Sequence, residues 1–315
     1  MFSVIIPTYN RASFITKAID SVLRQSFNDC EIIVVDDGST DMTEQTLQQY
    51  GKRITVVHQG NSGVSAARNR GIAHANGSWI AFLDSDDEWE ENYLPRQVKH
   101  INSNPGVIAF FTNAIDIHPG GASETHFQNT ILKRFGTRSF IRITRPFRAI
   151  MNHPHWYLQS MVVRRDTLLR TELFDVSLAI AEDLDLIARL ALAGPFGFEK
   201  EILVKICRRM ESISNLASAQ GTLQARKSFA KIFDRLRKDH RLRLAERLAL
   251  TKVSSANQRA LGNLLLAQGD ARQARAFYKQ AFTTYPSLKS LLKYVASLMS
   301  SRFALLLVRR KKNSI

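Results

Sequence analysis

An apolar run, Trp79-Ile80-Ala81-Phe82-Leu83, breaks off into Asp84-Ser85-Asp86-Asp87. The run has the length and unbroken apolar character of a strand buried on both faces, so the acids that follow bring three carboxylates to its C-terminal edge. Open α/β sheets keep their ligands at that edge. Carboxylates this close repel one another and are costly to desolvate unpaired, so a cation or hydrogen-bond donors must hold them. A hard divalent ion, Mg²⁺ or Mn²⁺, suits oxygen donors and needs only one or two protein carboxylates, with phosphates and water completing its shell. The competing reading is an acidic turn between a strand and a helix.

The same alternation of apolar run and polar edge recurs upstream. Ser3-Val4-Ile5-Ile6-Pro7 reads as a buried strand, with Thr8-Tyr9-Asn10-Arg11 as its loop; Glu31 to Val35 reads as a second, ending in Asp36-Asp37-Gly38-Ser39. Phe14, Ile15, Ala18, Ile19, Val22 and Leu23 have the spacing of a helix covering a sheet, and the βαβ order predicts parallel strands with right-handed crossovers. A third strand over 54–58 leads through Asn61-Ser62-Gly63 into a helix over 64–75. Arg68, near that helix's first turns, can reach a phosphate or a base, or can be a solvent-exposed arginine. Further strands are expected over 107–113 and 159–164, separated by a polar, poorly periodic excursion over 119–145. The rings around Trp156 suit stacking on a sugar and equally suit loop packing; His153 and His155 resemble a metal pair only weakly. Glu182 and Asp183 open a helix, where the dipole favours negative charge, or they supply a general base facing the carboxylate cluster.

Charge divides the chain. Residues 1–220 hold 23 basic and 24 acidic side chains, whereas 221–315 hold 21 and 4. The expected division is therefore a near-neutral α/β domain over 1–220 and a basic helical region over 221–315, drawn to an anionic surface. No nucleic-acid partner is expected, because 221–315 lacks aromatic or basic base-reading features. Within it, 261–286 resembles one tetratricopeptide-like helix pair, which cannot bury both faces alone. Residues 288–308 are apolar but interrupted by Lys289, Lys293 and Arg302, which suits an interfacial amphipathic helix or one closing the C-terminal bundle better than a membrane-spanning one. Cys30 and Cys207 read as reduced core thiols. With a strand pattern at the N-terminus instead of a basic and then apolar leader, the expected location is cytoplasmic, peripheral at the inner face of the membrane.

Four blocks in order, SVIIPTYNR at 3–11, EIIVVDDGSTD at 31–41, NSGVSAARNRGIAHANGSWIAFLDSDDEW at 61–89 and AEDLDLIARLALAG at 181–194, resemble family 2 of the inverting, nucleotide-sugar glycosyltransferases. The resemblance implies a GT-A fold, a Rossmann-like and mostly parallel central sheet flanked by helices, followed here by the helical C-terminal region. It implies that Pro7, Thr8, Tyr9, Asp37, Arg68, Asp84 and Ser85 line the nucleotide-sugar site, with Tyr9 stacking on the base and Asp37 accepting a ring N–H. Asp84 and Asp86 match the family's Asp-X-Asp metal motif, Asp86 as direct ligand of Mn²⁺ or Mg²⁺, and Asp183, beside Glu182, matches its general base. Trp89 and Trp156 are the candidates for holding the acceptor. The partners implied are a nucleoside-diphosphate sugar, a UDP-sugar ahead of others, and a glycan or lipid-linked hydroxyl acceptor. One departure weighs against full activity: Met210 stands where the family often carries a histidine, and a thioether is a poor ligand for hard ions. The alternative is a weakly active or inactive GT-A-fold binding or scaffold protein. A nucleotidyltransferase is disfavoured because no glycine-rich triphosphate loop follows the first strand.

Overall fold

A computed structural model of the chain describes residues 1–118, 120–121, 123–125, 136–152, 156–208 and 219–299. It divides into two compact units, residues 1–178 with 182–212, and residues 179–181 with 213–315.

The first unit is built on strand β1 (Phe2–Thr8), all seven of whose residues are buried. Around it follow α1 (Ile15–Leu23), β2 (Cys30–Asp36), α2 (Thr43–Gln48), β3 (Thr55–His58), α3 (Val64–His74), β4 (Trp79–Phe82), β5 (Glu88–Trp89), α4 (Tyr93–Ser103) and β6 (Ala109–Ile117). Then come β7 (Ser123–Thr125), β8 (Phe140–Ile143), α5 (Phe147–Asn152), β9 (Met161–Arg164), α6 (Arg165–Arg170), α7 (Glu182–Ala193) and β10 (Phe196–Cys207). Among the described residues the strands form one sheet in the order β3-β2-β1-β4-β9-β6-β10-β5, with β7 beside β6 and β8 beside β10.

The pairs β1–β2, β1–β4 and β2–β3 are parallel, as the βαβ alternation predicts. Register aligns Thr8 with Asp36, Asp36 with His58 and Ile5 with Phe82, so the polar turns after these strands gather at one edge. Beyond β4 the sheet is mixed. Strand β9 lies antiparallel between β4 and β6, while β10 runs parallel to β6. A four-residue apolar run such as Met161–Arg164 fits a buried strand of either direction, which is why its orientation is not written in it. The excursion expected over 119–145 contains two strands, β7 and β8; β8 takes its order from the distant β10, where Ile141 faces Phe198. Cys30 and Cys207 form no disulfide and are half-buried at strand ends, Cys30 packed against the core.

Gly77 sets the entry to β4. A Cβ there would lie 2.6 Å from the Ser3 nitrogen and 2.7 Å from the Phe2 carbonyl carbon, so only glycine lets the turn pass over β1. Its N–H donates to Ser3 Oγ at 2.8 Å.

The second unit is helical: α8 (Ala219–Arg237), α9 (Leu244–Ala267), α10 (Ala271–Thr284) and α11 (Leu288–Met299). The hairpin expected over 261–286 forms, turning at Gly269 (φ 89°) with Asp270 accepting the Gln273 N–H at 2.9 Å as the N-cap of α10. Tyr278 is fully buried beside Gly262, with Leu265, Leu266, Ala274 and Ala296 completing the cluster. No helix among the described residues is long and apolar enough to cross a membrane. Residues 300–308 of the expected interfacial helix lie outside the described residues, as do His153, His155 and Met210.

Candidate active site

Three strand-end turns are laced together at the polar edge. Asn10, itself at φ 53°, accepts the Thr40 N–H at 2.7 Å and donates its own N–H to Ser39 Oγ at 2.9 Å, and Arg11 N–H reaches Thr43 Oγ1 at 3.0 Å. Asp37 donates its N–H to the Thr8 carbonyl at 2.9 Å. Its buried carboxylate accepts from the Gln59 side chain and the Ser62 N–H on Oδ1, and from the Gly63 N–H on Oδ2, each at 2.8 Å. Asp37 thus clamps the turn that launches α3, in which Gly63 sits at φ 89°. An ionised carboxylate has about four acceptor positions. Three are taken by the protein, two on Oδ1 and one on Oδ2. Tyr9 is exposed, as a stacking ring must be, whereas Pro7 and Thr8 are buried and shape the edge from beneath.

Arg68 does not sit as the sequence suggests. It is buried, its Nη2 donates to Asp84 Oδ1 and its Nη1 to Glu182 Oε1, both at 2.8 Å, and its guanidinium lies 5.4 Å from the centre of the Phe174 ring. Two of its donors hold carboxylates while Nε is buried without a hydrogen-bond partner, so it is not a solvent-exposed surface arginine. The second oxygen of Asp84 accepts from the Gln159 side-chain amide. Gln159 in turn accepts the Trp89 indole N–H on its backbone carbonyl at 2.9 Å.

That bond helps to hold the Trp89 ring inside. Trp89 is buried and stacked on Tyr93 at 4.1 Å between ring centres, and Trp156 is buried against Phe111 and Phe198. Neither presents a face to an acceptor sugar. Both are core rings whose burial outweighs any gain from standing exposed in a loop.

The carboxylates at the edge separate by environment. Asp84 and Asp86 are half-buried, and Ser85 is buried between them. Asp87 turns inward, where the Cys207 N–H meets its Oδ1 at 2.9 Å; burial, then Asp84 and Asp86, hold its carboxyl well above the usual range. Asp183, at the start of α7, is pushed up to about 7, by burial first and Glu182 second, with the Leu184 N–H and Arg68 opposing. Arg208 and Asp116, to which sequence assigned no role, join one of the rings near Trp156: Arg208 donates from Nε to Asp116 Oδ1 and from Nη2 to Tyr157 Oη, both at 2.8 Å. Burial pushes the Tyr157 phenol up to about 12, and Asp183 adds to that push. No local pattern marks Gln159, Asp116, Tyr157 and Arg208 as partners, because they come from three separate places in the chain, Tyr157 and Gln159 sharing one.

Among the described residues no three His, Cys, Asp or Glu side chains converge as a ready metal cage. Asp84 and Asp86 nonetheless fit a hard ion, which takes one or two protein carboxylates and fills its shell with phosphate and water. Burial is the first cause of the raised Asp87 carboxyl, and the part added by Asp84 and Asp86 is what a cation there would relieve.

This sheet, with its acid-lined edge, is an α/β fold of the GT-A type. It is shared with S. aureus TarS (TM-score 0.69, 20% identity, 98% of this chain and 54% of that one). It is shared too with TarS 1–349 in complex with UDP-GlcNAc (TM-score 0.65, 19% identity, 98% and 87%). A mannosyltransferase of Pyrobaculum calidifontis, PcManGT, solved with GDP-Man and Mn²⁺, superposes with TM-score 0.59 at 20% identity over 99% and 86%. The model of the family described as "Glycosyl transferase family 2" matches residues 3–169, and the chain belongs to that family. It is similar to the uncharacterized glycosyltransferase EpsJ of Bacillus subtilis, 32% identical over an alignment of 195 residues that covers 58% of this chain and 54% of EpsJ. It is likewise similar to the minor teichoic acid biosynthesis protein GgaA of the same organism, 34% identical over 198 residues, 58% of this chain and 41% of GgaA. The match thus spans about half the length of these relatives.

Proposed function

We propose that the chain is a metal-dependent, inverting glycosyltransferase that moves a hexosyl or N-acetylhexosaminyl group from a nucleoside-diphosphate sugar, a UDP-sugar ahead of others, to a hydroxyl acceptor during assembly of a cell-surface glycan. The observation that carries this reading is the Arg68 bridge, which holds Asp84 of the donor edge and Glu182, the neighbour of Asp183, on one guanidinium. Candidate metal carboxylate and candidate base are thereby fixed in a single constellation.

In this reading Tyr9 stacks on the base and the remaining acceptor position of Asp37 takes its N–H. A divalent ion held by Asp84 and Asp86 would supply the positive charge that stabilises the departing diphosphate. Asp183 accepts the proton of the acceptor hydroxyl as that oxygen attacks the anomeric carbon from the face opposite the diphosphate, which inverts configuration. A carboxyl raised to about 7 suits the task, since a base works best with its pKa near the working pH. The teichoic acid role in the name of GgaA and the UDP-GlcNAc bound to TarS support the donor and pathway class. With a lipid-linked acceptor, the protein works as a peripheral enzyme on the inner face of the membrane.

The test is turnover of UDP-, dTDP- and GDP-sugars with Mn²⁺ or Mg²⁺, for wild type and Asp183→Asn. Turnover of one donor, abolished in the variant while donor binding persists, supports the assignment. A variant that turns over normally at saturation but binds donor poorly would refute it.

A further inference from the structure

Helix α11 is turned inside out. Ser290, Ala296 and Ser297 are buried, whereas Leu288, Leu291, Leu292, Val295 and Leu298 are exposed, Leu288 to 71% and Leu292 to 52%. At about 100° per residue these five fall on one stripe roughly 120° wide. A helix serving only as a bundle wall has the opposite arrangement, because burying one leucine is worth about 1.5–3 kcal/mol.

Polar contacts fix this rotation. Arg259 Nη1 donates to Ser290 Oγ at 2.8 Å, Lys293 Nζ to Asn263 Oδ1 at 3.1 Å, and Arg275 Nε to the Ser297 carbonyl at 3.1 Å. Turning the leucines inward would break all three.

Charge identifies what covers the stripe. Residues 271–299 contain five basic side chains and no acidic one; Arg275 and Lys293 make the contacts just given, which leaves Arg272, Lys279 and Lys289 exposed without that role. A second copy placed face to face would oppose like charges, while an anionic bilayer would meet both the charge and the leucines. We infer that α11 is a docking face for anionic phospholipid: its apolar stripe enters the boundary between headgroups and acyl chains, and Lys289, on the flank of the stripe, meets headgroup phosphate. The inference deepens the membrane-side reading given under Proposed function and rests on it, and it names the surface that does the work.

The test is flotation of the full chain with vesicles of phosphatidylcholine alone or with phosphatidylglycerol, for wild type and Leu292→Glu/Val295→Glu. Both positions are exposed, so circular dichroism and UDP binding should match wild type. Wild type is expected to float about tenfold better with phosphatidylglycerol than without, and the double variant to lose about tenfold of that binding. Equal flotation of variant and wild type, no flotation of wild type, or equal binding to both vesicles would overturn the inference. So would a dimer, seen by sedimentation, that the double variant dissociates. Donor turnover measured on the same samples separates the two readings: turnover without flotation sinks the docking face alone, and flotation without turnover sinks the transferase alone.

Discussion

Arg68 donates to Asp84 on one side and to Glu182 on the other, at 2.8 Å each, and so joins the turn after β4 to the start of α7, elements far apart in the sequence. The arginine is buried, Asp84 is 29% exposed and Glu182 14%. The bridge therefore positions the edge where donor chemistry would occur, and its removal leaves two carboxylates facing one another.

Arg68→Met is expected to cost about 3 kcal/mol, toward the lower end for breaking a buried pair because Asp84 keeps some solvent. Arg68→Lys should recover only part of this, since an ammonium cannot fork between two acids. Urea unfolding midpoints measure both, and equal midpoints for wild type and Arg68→Met would contradict the role.

The Asp183 carboxyl, raised to about 7, sets a pH dependence. A general base works ionised, so kcat/KM should rise about tenfold per pH unit below 7 and level off above it. For stability the sign is opposite. The folded protein holds this proton more tightly than the unfolded chain, so the contribution is present at acid pH and is lost as pH rises through about 7. Rate profiles of the wild type from pH 5.5 to 9 check the first, and thermal melts over the same range, in which Asp183→Asn should lose the dependence, check the second.

Asp86→Ala is expected to lower Mn²⁺-supported turnover by about a hundredfold, the scale of losing one stabiliser of developing charge. Stability should hold or rise slightly, because Asp86 helps to keep the buried Asp87 carboxyl raised and its removal eases that repulsion. A melt paired with a metal titration of activity checks the two halves together.

Asp37→Ala strips the partner from the Ser62 and Gly63 N–H groups and the Gln59 amide. A loss of about 2 kcal/mol follows from leaving such donors unmatched, along with weaker binding of UDP as the clamped turn loosens. Calorimetry with UDP and a denaturant titration would register both; unchanged UDP affinity would remove Asp37 from the nucleotide site.

Gly77→Ala should destabilise by about 1–3 kcal/mol, because the new methyl meets the backbone of Phe2 and Ser3, which cannot move aside like a side-chain tip. The unfolding midpoint is the measurement, with activity per folded molecule expected to stay near wild type.

The early strands, the helices between them and the acids at their ends were legible because each is a local pattern: an apolar run of strand length, a helical spacing, a polar turn. Tyr9, Asp37, Asp84, Asp86 and Asp183 could be singled out on that basis and from the resemblance their blocks carry. Strands β7 and β8 escaped detection because Phe140–Ile143 is short and owes its order to β10. Trp89 and Trp156 misled because an indole in a polar neighbourhood looks alike whether it faces solvent or the core.

By itself, then, the sequence determined which residue types stand at the ends of the parallel strands, since alternation and turn chemistry act over a few residues. Tertiary structure alone decided which of those groups meet. Arg68 became the clip between Asp84 and Glu182, Gln159 the second holder of Asp84, and Arg208 the link between Asp116 and Tyr157, because ion pairs and hydrogen bonds depend on distance in space and are indifferent to separation along the chain. The leucine face of α11 was settled the same way: periodicity marks a helix as two-sided, and only its packing shows which side turns outward.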